Sequence, residues 1–147
     1  MSKYSAAFVM ASASATLLVG GVQCPGAGMR RIKIYDWTIG SDATPADNPF
    51  TWRALRTTTA GTSTVVTPSP LDLADPASIS VAGQAFTVNP SLGVVLMDVP
   101  LNQRASFRWV AAPGSELVVP AVANAGIGFQ TPTATALQVR STALFQE

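Results

Sequence analysis

Residues 29–39, MRRIKIYDWTI, place polar and apolar side chains alternately on two sides of an extended chain. One side carries Met29, Arg31, Lys33, Tyr35 and Trp37, and the other carries Arg30, Ile32, Ile34 and Asp36. In ASFRWVA (105–111) the same alternation places Phe107 and Trp109 opposite Ser106 and Arg108. A period of two is typical of a half-buried β-strand, so both stretches predict strands.

The other apolar stretches are short and are bounded by glycine, proline or asparagine, which predicts further strands at 85–89, 94–99, 116–122, 126–131 and 135–145. An apolar period of 3.6 is sustained nowhere over three turns. The one plausible helical turn is PLDLADPASI (70–79), which Asp72 or Asp75 would cap. Eight to ten short strands predict an all-β, jelly-roll-like β-sandwich with little or no helix. The length of 147 residues fits a single domain over 1–147.

The N-terminal segment, residues 1–24, combines a lysine, an apolar run and a cysteine, as a secretory signal does. Serine and threonine interrupt the run, and Gln23 stands where cleavage before Cys24 requires a small residue. The apolar part, 6–22, is also shorter than the ~20 residues of a membrane span. We therefore predict a pair of strands, or an N-terminal strand and arm over about 1–24, and no membrane partner.

The segment 40–72, GSDATPADNPFTWRALRTTTAGTSTVVTPSPLD, contains four prolines between two apolar stretches. We interpret about 40–80 as an extended Pro-rich loop that acts as an interface arm, because a pre-ordered loop loses less entropy on docking. In this arm Phe50 and Trp52 would be apolar anchors, although core packing at the start of a strand fits them equally well. The complete predicted interface set is Phe50, Trp52, Arg53, Arg56, Trp37, Arg30 and Arg31.

The composition points to a surface that other subunits cover. Charged residues make up 12% of the chain, hydrophobic residues 48%, and the formal net charge is +1. This charge density is below that of a freely soluble monomer. Seven of the nine basic residues are arginine, which is enriched at protein interfaces. The nearly neutral balance argues against nucleic acid as a partner.

The residue types present exclude most catalytic classes. The chain has no histidine, which excludes Ser-His-Asp and Cys-His catalysis and histidine metal sites. Cys24 is the single cysteine, so it forms no intrachain disulfide, and we interpret it as a small buried apolar residue. The carboxylates that could form a glycosidase pair or a calcium loop are Asp42, Asp47, Asp72, Asp75, Asp98 and Glu116. Turn capping is the favoured role for them. We therefore predict no catalytic residue, no metal and no cofactor.

Four runs carry a family resemblance, together with Arg53, Arg56 and Glu147: GSDATPADN (40–48), TAGTST (59–64), VTPSPLDLADPAS (66–78) and LNQRASFRWVAAPGSELVVPAVANAGIGFQTPT (101–133). They resemble small virion structural proteins of tailed bacteriophages, which are similar to capsid decoration, or cement, proteins with jelly-roll domains. The resemblance implies a non-enzymatic homotrimer on the outer surface of the capsid. Its partner would be the major capsid protein, whose subunits it would bridge to stabilise the head.

An alternative function remains open from the same sequence. A β-sandwich of this size also suits a binding module that contacts a glycan or a receptor from a head fibre or a tail. That function predicts an exposed aromatic groove around Trp37 or Trp52.

Overall fold

The structure is a computed structural model that describes residues 1–133 and 135–147. These residues form strands, turns and irregular segments, and none of them is helical. The twelve strands are β1 Lys3–Met10, β2 Leu18–Gln23, β3 Ile32–Asp42, β4 Pro49–Thr57, β5 Thr62–Val66, β6 Ser69–Pro70, β7 Val81–Val88, β8 Leu92–Asn102, β9 Phe107–Val110, β10 Leu117–Val119, β11 Gly126–Gln130 and β12 Gln138–Gln146.

The strands form two sheets that pack face to face. Sheet I has the order β10-β3-β12-β1-β6, and β9 also pairs with β3. Sheet II has the order β5-β7-β2-β11-β4-β8. All the pairings within both sheets are antiparallel.

The pairing is nested along the chain, which identifies the topology. β1 pairs with β12, β2 with β11, β3 with β9 and β10, and β4 with β8. Along each half of this set the chain passes back and forth between the two sheets, from β1 to β4 and from β8 to β12, so the chain is a long antiparallel hairpin rolled into a sandwich. This is a jelly-roll arrangement, with four strand positions of the rolled hairpin in each sheet when β9 and β10, which both pair with β3, are counted as one. The predicted all-β, jelly-roll-like sandwich is therefore confirmed.

The predicted N-terminal segment, 1–24, is built into the sandwich. β1 pairs with β12 along its whole length, from Lys3 opposite Gln146 to Met10 opposite Val139. β2 lies in the middle of sheet II between β7 and β11. The segment thus contributes one strand to each sheet.

The expected loop over 40–80 is corrected, because this segment contains the end of β3 and the strands β4, β5 and β6. β4 contains Phe50 and Trp52 and pairs with β11 and β8, in the interior of sheet II. β5 and β6 follow within the same segment. The expected helical turn at 70–79 is also wrong: Asp72 Oδ1 accepts a hydrogen bond from the amide of Ala74 (2.9 Å), which caps a turn without forming a helix.

An insertion into the jelly roll, residues 58–91, widens both sheets on the same side. It leaves and rejoins at one point, where the amide of Thr58 donates to the carbonyl of Ser91 (3.1 Å). β7 and β5 extend sheet II beyond β2, and β6 extends sheet I beyond β1. Glu147 ties the insertion to the end of β12, because its carboxylate accepts from the amides of Ile79 (2.9 Å) and Ser80 (3.2 Å).

A β-bulge in β3 changes which of its side chains face the core. Leu144 pairs with Asp36 and Phe145 pairs with Ile34, so one residue of β3, Tyr35, is passed over. The alternation therefore shifts by one residue, and Trp37 is fully buried. The prediction that Trp37 lies on the same face as Lys33 and Tyr35 is corrected accordingly.

Aromatic side chains from both sheets fill the core. Trp37 of sheet I stacks on Phe129 of sheet II with ring centroids 4.9 Å apart, and Phe8 lies 5.9 Å from Phe129. Gly20 lies opposite Phe8, where a Cβ would come within 2.3 Å of Phe8 Cγ. Cys24 is buried, as interpreted from the sequence.

Candidate interaction surface

The three aromatic residues predicted as interface anchors belong to the core. Trp37 and Trp52 are 0% exposed and Phe50 is 2% exposed. The Trp37 indole Nε1 donates to Ser141 Oγ (2.8 Å), and the rings of Trp37 and Trp52 meet edge to face with centroids 6.2 Å apart. The anchor role is therefore corrected to core packing. The exposed aromatic groove expected around Trp37 or Trp52 is also wrong, because neither ring reaches the surface.

Two of the four predicted interface arginines bind groups of their own chain. Arg53 Nε donates to Asp98 Oδ1 (2.8 Å), which links β4 to β8. Arg56 Nη1 donates to the carbonyl of Val118 (2.9 Å), which links sheet II to β10 of sheet I. Both arginines thus make contacts within their own chain. Arg30 and Arg31 are exposed in the segment before β3, where a partner can reach them.

Most of the carboxylates considered for chemistry are paired with arginine or accept hydrogen bonds from turn amides. The Arg140 guanidinium, 2.6 Å from Asp42, and the amide of Ala43 hold the pKa of Asp42 below its ordinary value. Asp47 Oδ1 accepts from Asn102. Within residues 1–133 and 135–147, no three side chains of the types Cys, Asp or Glu come together as metal ligands.

The most buried aspartate, Asp36, was not among the carboxylates that the sequence singled out. Arg108 Nε lies 3.0 Å from Asp36 Oδ1, and this hydrogen bond raises the pKa of Arg108. Burial, and then the nearby Asp36 charge, raise the pKa of Tyr35. Asp36 and Arg108 both lie in strands that the sequence predicts, which was a signal for this pair. Only the pairing of those two strands shows that the side chains meet.

Charge is distributed unequally between the outer faces of the two sheets. The outer side of sheet I carries Lys3, Lys33, Asp36, Asp42, Arg108 and Arg140. In sheet II, the strands β2, β5, β7 and β11 contain no charged residue. The three charged residues of β4 and β8 are Arg53 and Asp98, which pair with each other, and Arg56, which binds Val118. We call the outer side of sheet II the neutral face.

Glycines flatten the centre of the neutral face. Leu55, Gly128, Gly21 and Gly83 lie side by side on four neighbouring strands. Neighbouring side chains lie over them: a Cβ on Gly128 would be 2.6 Å from Leu18 Cδ1, and a Cβ on Gly21 would be 3.8 Å from Phe86 Cζ. Leu18, Leu55 and Phe86 thereby form a second apolar cluster, which is buried outside the main core.

Exposed apolar side chains lie at the two opposite margins of the neutral face. At one margin, three steps along β4, Ala54 to Thr57, correspond to five along β8, Met97 to Leu92, so β8 is bulged. The bulged part exposes Leu92 (42%), Val94 (69%) and Val95 (43%), which we call the β8 ridge.

The opposite margin of the neutral face is concave. A pocket of about 290 Å³ opens between β5, β7 and the end of β2, and we call it the β5–β7 pocket. Its lining includes Val65 (78% exposed) and Val81 (48% exposed), together with Ser63, Gly83 and Phe86. The pocket and the β8 ridge are thus separated by the width of sheet II.

Three of the outer sheet edges, at β8, at β9 and β10, and at β1, are unsuited to the addition of a further strand. β8 is interrupted by its bulges and carries Asp98 and Pro100, features that block edge pairing. β9 and β10 are separated by a loop with a turn at Ala112–Ser115. The amide of Val9 on the edge of β1 donates to Gln84 Oε1 (2.9 Å). Contacts with a partner at these three edges would therefore be made by side chains and not by strand addition.

Comparison with known proteins finds no match: no family model, no curated protein and no solved structure is similar to the chain. None of the residues that the structure describes lies in a helix with the length and hydropathy needed to cross a bilayer.

Proposed function

We propose that the chain is a structural protein of a tailed-bacteriophage virion, a capsid decoration protein on the outer surface of the head. In this role it binds the major capsid protein as a homotrimer and stabilises the head by bridging adjacent capsid subunits. It converts no substrate and uses no cofactor.

The neutral face is the observation that carries the proposal. A face without an unpaired charge loses little hydration energy when a neighbour covers it, whereas an unpaired charge is costly to bury. Its two margins expose the β8 ridge and the valines of the β5–β7 pocket, Val65 and Val81. A protein that is covered by neighbouring subunits requires a surface of this kind. The low content of charged residues, 12%, is consistent with a chain whose surface is covered in this way.

Sheet I supports the second contact that a decoration protein needs. Its outer side is charged, and Arg30 and Arg31 are exposed just before β3. Arginines at the rim of an interface steer association with an acidic partner and set its salt dependence. We assign these two arginines to the contact with the capsid.

The experiment compares two preparations of virions of the phage that encodes the chain: one with the gene intact and one from which the gene has been deleted. We expect the chain in the intact particles at a fixed ratio to the major capsid protein, and we expect particles without it to release their DNA at a lower temperature. Purified particles that never contain the chain, or that are equally heat-stable without it, would contradict the proposal.

A rebinding assay refines the same test. Wild-type protein is added to particles that lack it, beside the double variant Arg30→Glu, Arg31→Glu and the control Arg140→Gln, whose arginine is already paired with Asp42. We expect the double variant to bind more weakly with a smaller salt dependence, while the control binds as the wild type does.

The alternative of a glycan- or receptor-binding module is not favoured by a specific observation. It depended on an exposed aromatic groove around Trp37 or Trp52, and both rings are in the core.

A further inference from the structure

We propose that Leu73, at the tip of the turn formed by residues 71–75, is an apolar anchor that inserts into the surface of the major capsid protein. We call residues 71–75 the Leu73 turn. The inference rests on the proposed function and deepens it, because it names the apolar part of the capsid contact to which Arg30 and Arg31 belong.

Leu73 is more exposed than any other large apolar side chain in the part of the chain that the structure describes. Its exposed fraction is 96%, and Leu71, two residues earlier, is 52% exposed. An isolated exposed apolar residue is ordinary on a protein surface, whereas apolar side chains that project together mark interaction sites. Two leucines that project from one short turn therefore form a candidate anchor.

Both ends of the Leu73 turn are fixed to β1. At its start, the amide of Leu71 donates to the carbonyl of Lys3 (2.8 Å). Just beyond its end, the hydroxyl of the buried Tyr4 donates to the carbonyl of Pro76 (3.1 Å). The position of the turn is thus set by a strand of the sandwich.

The Leu73 turn is also ordered internally. The amide of Asp75 donates to the carbonyl of Asp72 (3.0 Å), and the amide of Ala74 donates to Asp72 Oδ1 (2.9 Å). A pre-ordered segment loses less conformational entropy on docking than a mobile one does. The turn therefore presents its leucines in a form that a partner can bind without ordering them first.

The Leu73 turn lies at the end of the sandwich that also carries Arg30 and Arg31. β6 ends and β3 begins at this end of sheet I, with β1 and β12 between them. The three strand spacings from β6 to β3 amount to ~14 Å. The segments that follow β2 and β6 also meet, since a Cβ on Gly28 would lie 3.9 Å from Ile79 Cδ1. One partner surface can therefore contact the leucines and the arginines together.

The opposite end of the sandwich offers no comparable anchor. Its connecting segments, 11–17, 43–48, 103–106 and the described residues of 131–137, expose no large apolar side chain. The end with the Leu73 turn exposes Met29 (48%) and Val122 (57%) in addition to the two leucines. This difference indicates which end of the sandwich faces the capsid.

The charges around the anchor define the chemistry of the surface that accepts it. Neither Asp72 nor Asp75 belongs to the three ion pairs found among the described residues, so both carboxylates can pair with a partner. The complementary surface is an apolar pocket with basic groups beside it, and with acidic groups where Arg30 and Arg31 dock. A lipid bilayer does not match, because carboxylates next to Leu73 are costly to transfer into hydrocarbon.

The test is the rebinding assay on particles that lack the chain, carried out as a titration. We expect Leu73→Ser to bind about tenfold more weakly than the wild type or worse, because the transfer of a leucine side chain out of water is lost. The control Val110→Ser, which changes another exposed apolar side chain (57%), is expected to bind as the wild type does. Circular dichroism checks that each variant is folded, and Leu73→Gln replaces a serine variant that is not.

The double variant Asp72→Asn, Asp75→Asn tests the basic groups of the partner. Asparagine keeps the side-chain oxygen that accepts from the amide of Ala74, so the turn is retained while its charge is removed. We expect weaker binding to the particles and a smaller salt dependence. Binding with an unchanged salt dependence would contradict the charge match.

Three results would overturn the anchor. Wild-type affinity of Leu73→Ser for the particles would show that the capsid does not bury this leucine. A lower mass of isolated Leu73→Ser than of the isolated wild type, by light scattering, would assign the leucine to a second copy. Binding of the wild type, but not of the variant, to vesicles of phosphatidylcholine and phosphatidylserine would assign it to lipid.

Failure of the proposed function has a different signature. Particles that never contain the chain, or that do not bind the added wild type, would refute the virion role and the anchor together. Particles that bind the wild type and Leu73→Ser equally well would refute the anchor alone.

Discussion

Arg108 covers the carboxylate of Asp36, with its Nε 3.0 Å from Oδ1 and 3.1 Å from Oδ2. The Asp36 side chain is 5% exposed while that of Arg108 is 64% exposed, so the arginine shields the acid from solvent. The pair lies on the outer side of sheet I and joins β3 to β9. A buried carboxylate that loses its partner keeps its desolvation cost without compensation.

Replacement of Arg108 by methionine is therefore expected to destabilise the protein clearly. The matched control is Arg140→Met, which breaks the Asp42 pair, where both side chains are about half exposed (60% and 46%). Exposed pairs contribute little, so we expect the urea midpoint to fall roughly twice as far or more for Arg108→Met. Equal shifts in the two variants would contradict the shielding role.

Replacement of Gly20 by alanine is expected to lower the stability of the protein. A Cβ there would lie 2.3 Å from Phe8 Cγ, inside the core between the two sheets. Overpacking of this kind costs about 1–3 kcal/mol, so Gly20→Ala should lower the melting temperature. Gly26→Ala is the control, since nothing lies within 4 Å of a Cβ at that position. A Gly20→Ala protein as stable as the control would show that Phe8 moves without cost.

The carboxylate of Glu147 is expected to protect the backbone of the insertion. It accepts from the amides of Ile79 and Ser80, and hydrogen bonds to charged groups contribute about 1.5–3 kcal/mol. Glu147→Ala should therefore accelerate hydrogen exchange at those two amides by about tenfold or more. Glu116→Ala, a change of the same type in the loop before β10, should leave both rates unchanged. Unchanged exchange rates of the Ile79 and Ser80 amides in the Glu147→Ala variant would contradict the stabilising role of these hydrogen bonds.

Acid is expected to remove the stabilising contribution of Asp42. The Arg140 hydrogen bond lowers the pKa of this carboxylate in the folded state. A lowered folded pKa adds stability above the unfolded value, and this contribution disappears as pH falls through the folded value. The stability difference between wild type and Asp42→Asn should thus be constant near pH 6 and shrink below about pH 4. A difference that grows on acidification would reverse the sign of this linkage.

The sequence predicted the architecture because short strands with a period of two leave few arrangements for a chain of this size. It did not predict β4, since prolines and polar residues around Phe50 and Trp52 are equally compatible with a loop. The alternation in 29–39 predicted the wrong face for Trp37, because a β-bulge shifts the register. No local sequence pattern in this stretch indicates the bulge.

The interaction surface was harder to predict than the fold. Large aromatic residues and arginines are common at interfaces, yet here Trp37 and Trp52 fill the core and Arg56 binds Val118. The informative signal was the scarcity of charge: between Arg56 and Asp98 the sequence contains only two charged residues, Asp72 and Asp75. Only the pairing of β5, β7, β2, β11, β4 and β8 shows that this stretch and two neutral strands share one face.

The nested pairing of the strands has a consequence for biosynthesis. β1 pairs along its whole length with β12, with Lys3 opposite Gln146, so β1 cannot complete its place in sheet I until β12 has been synthesised. Contacts between such distant parts of a chain form slowly, and apolar strands stay accessible in the meantime. We therefore expect the sandwich to close only once β12 has left the ribosome, and the yield of native protein to rise at lower expression temperature or with added chaperones.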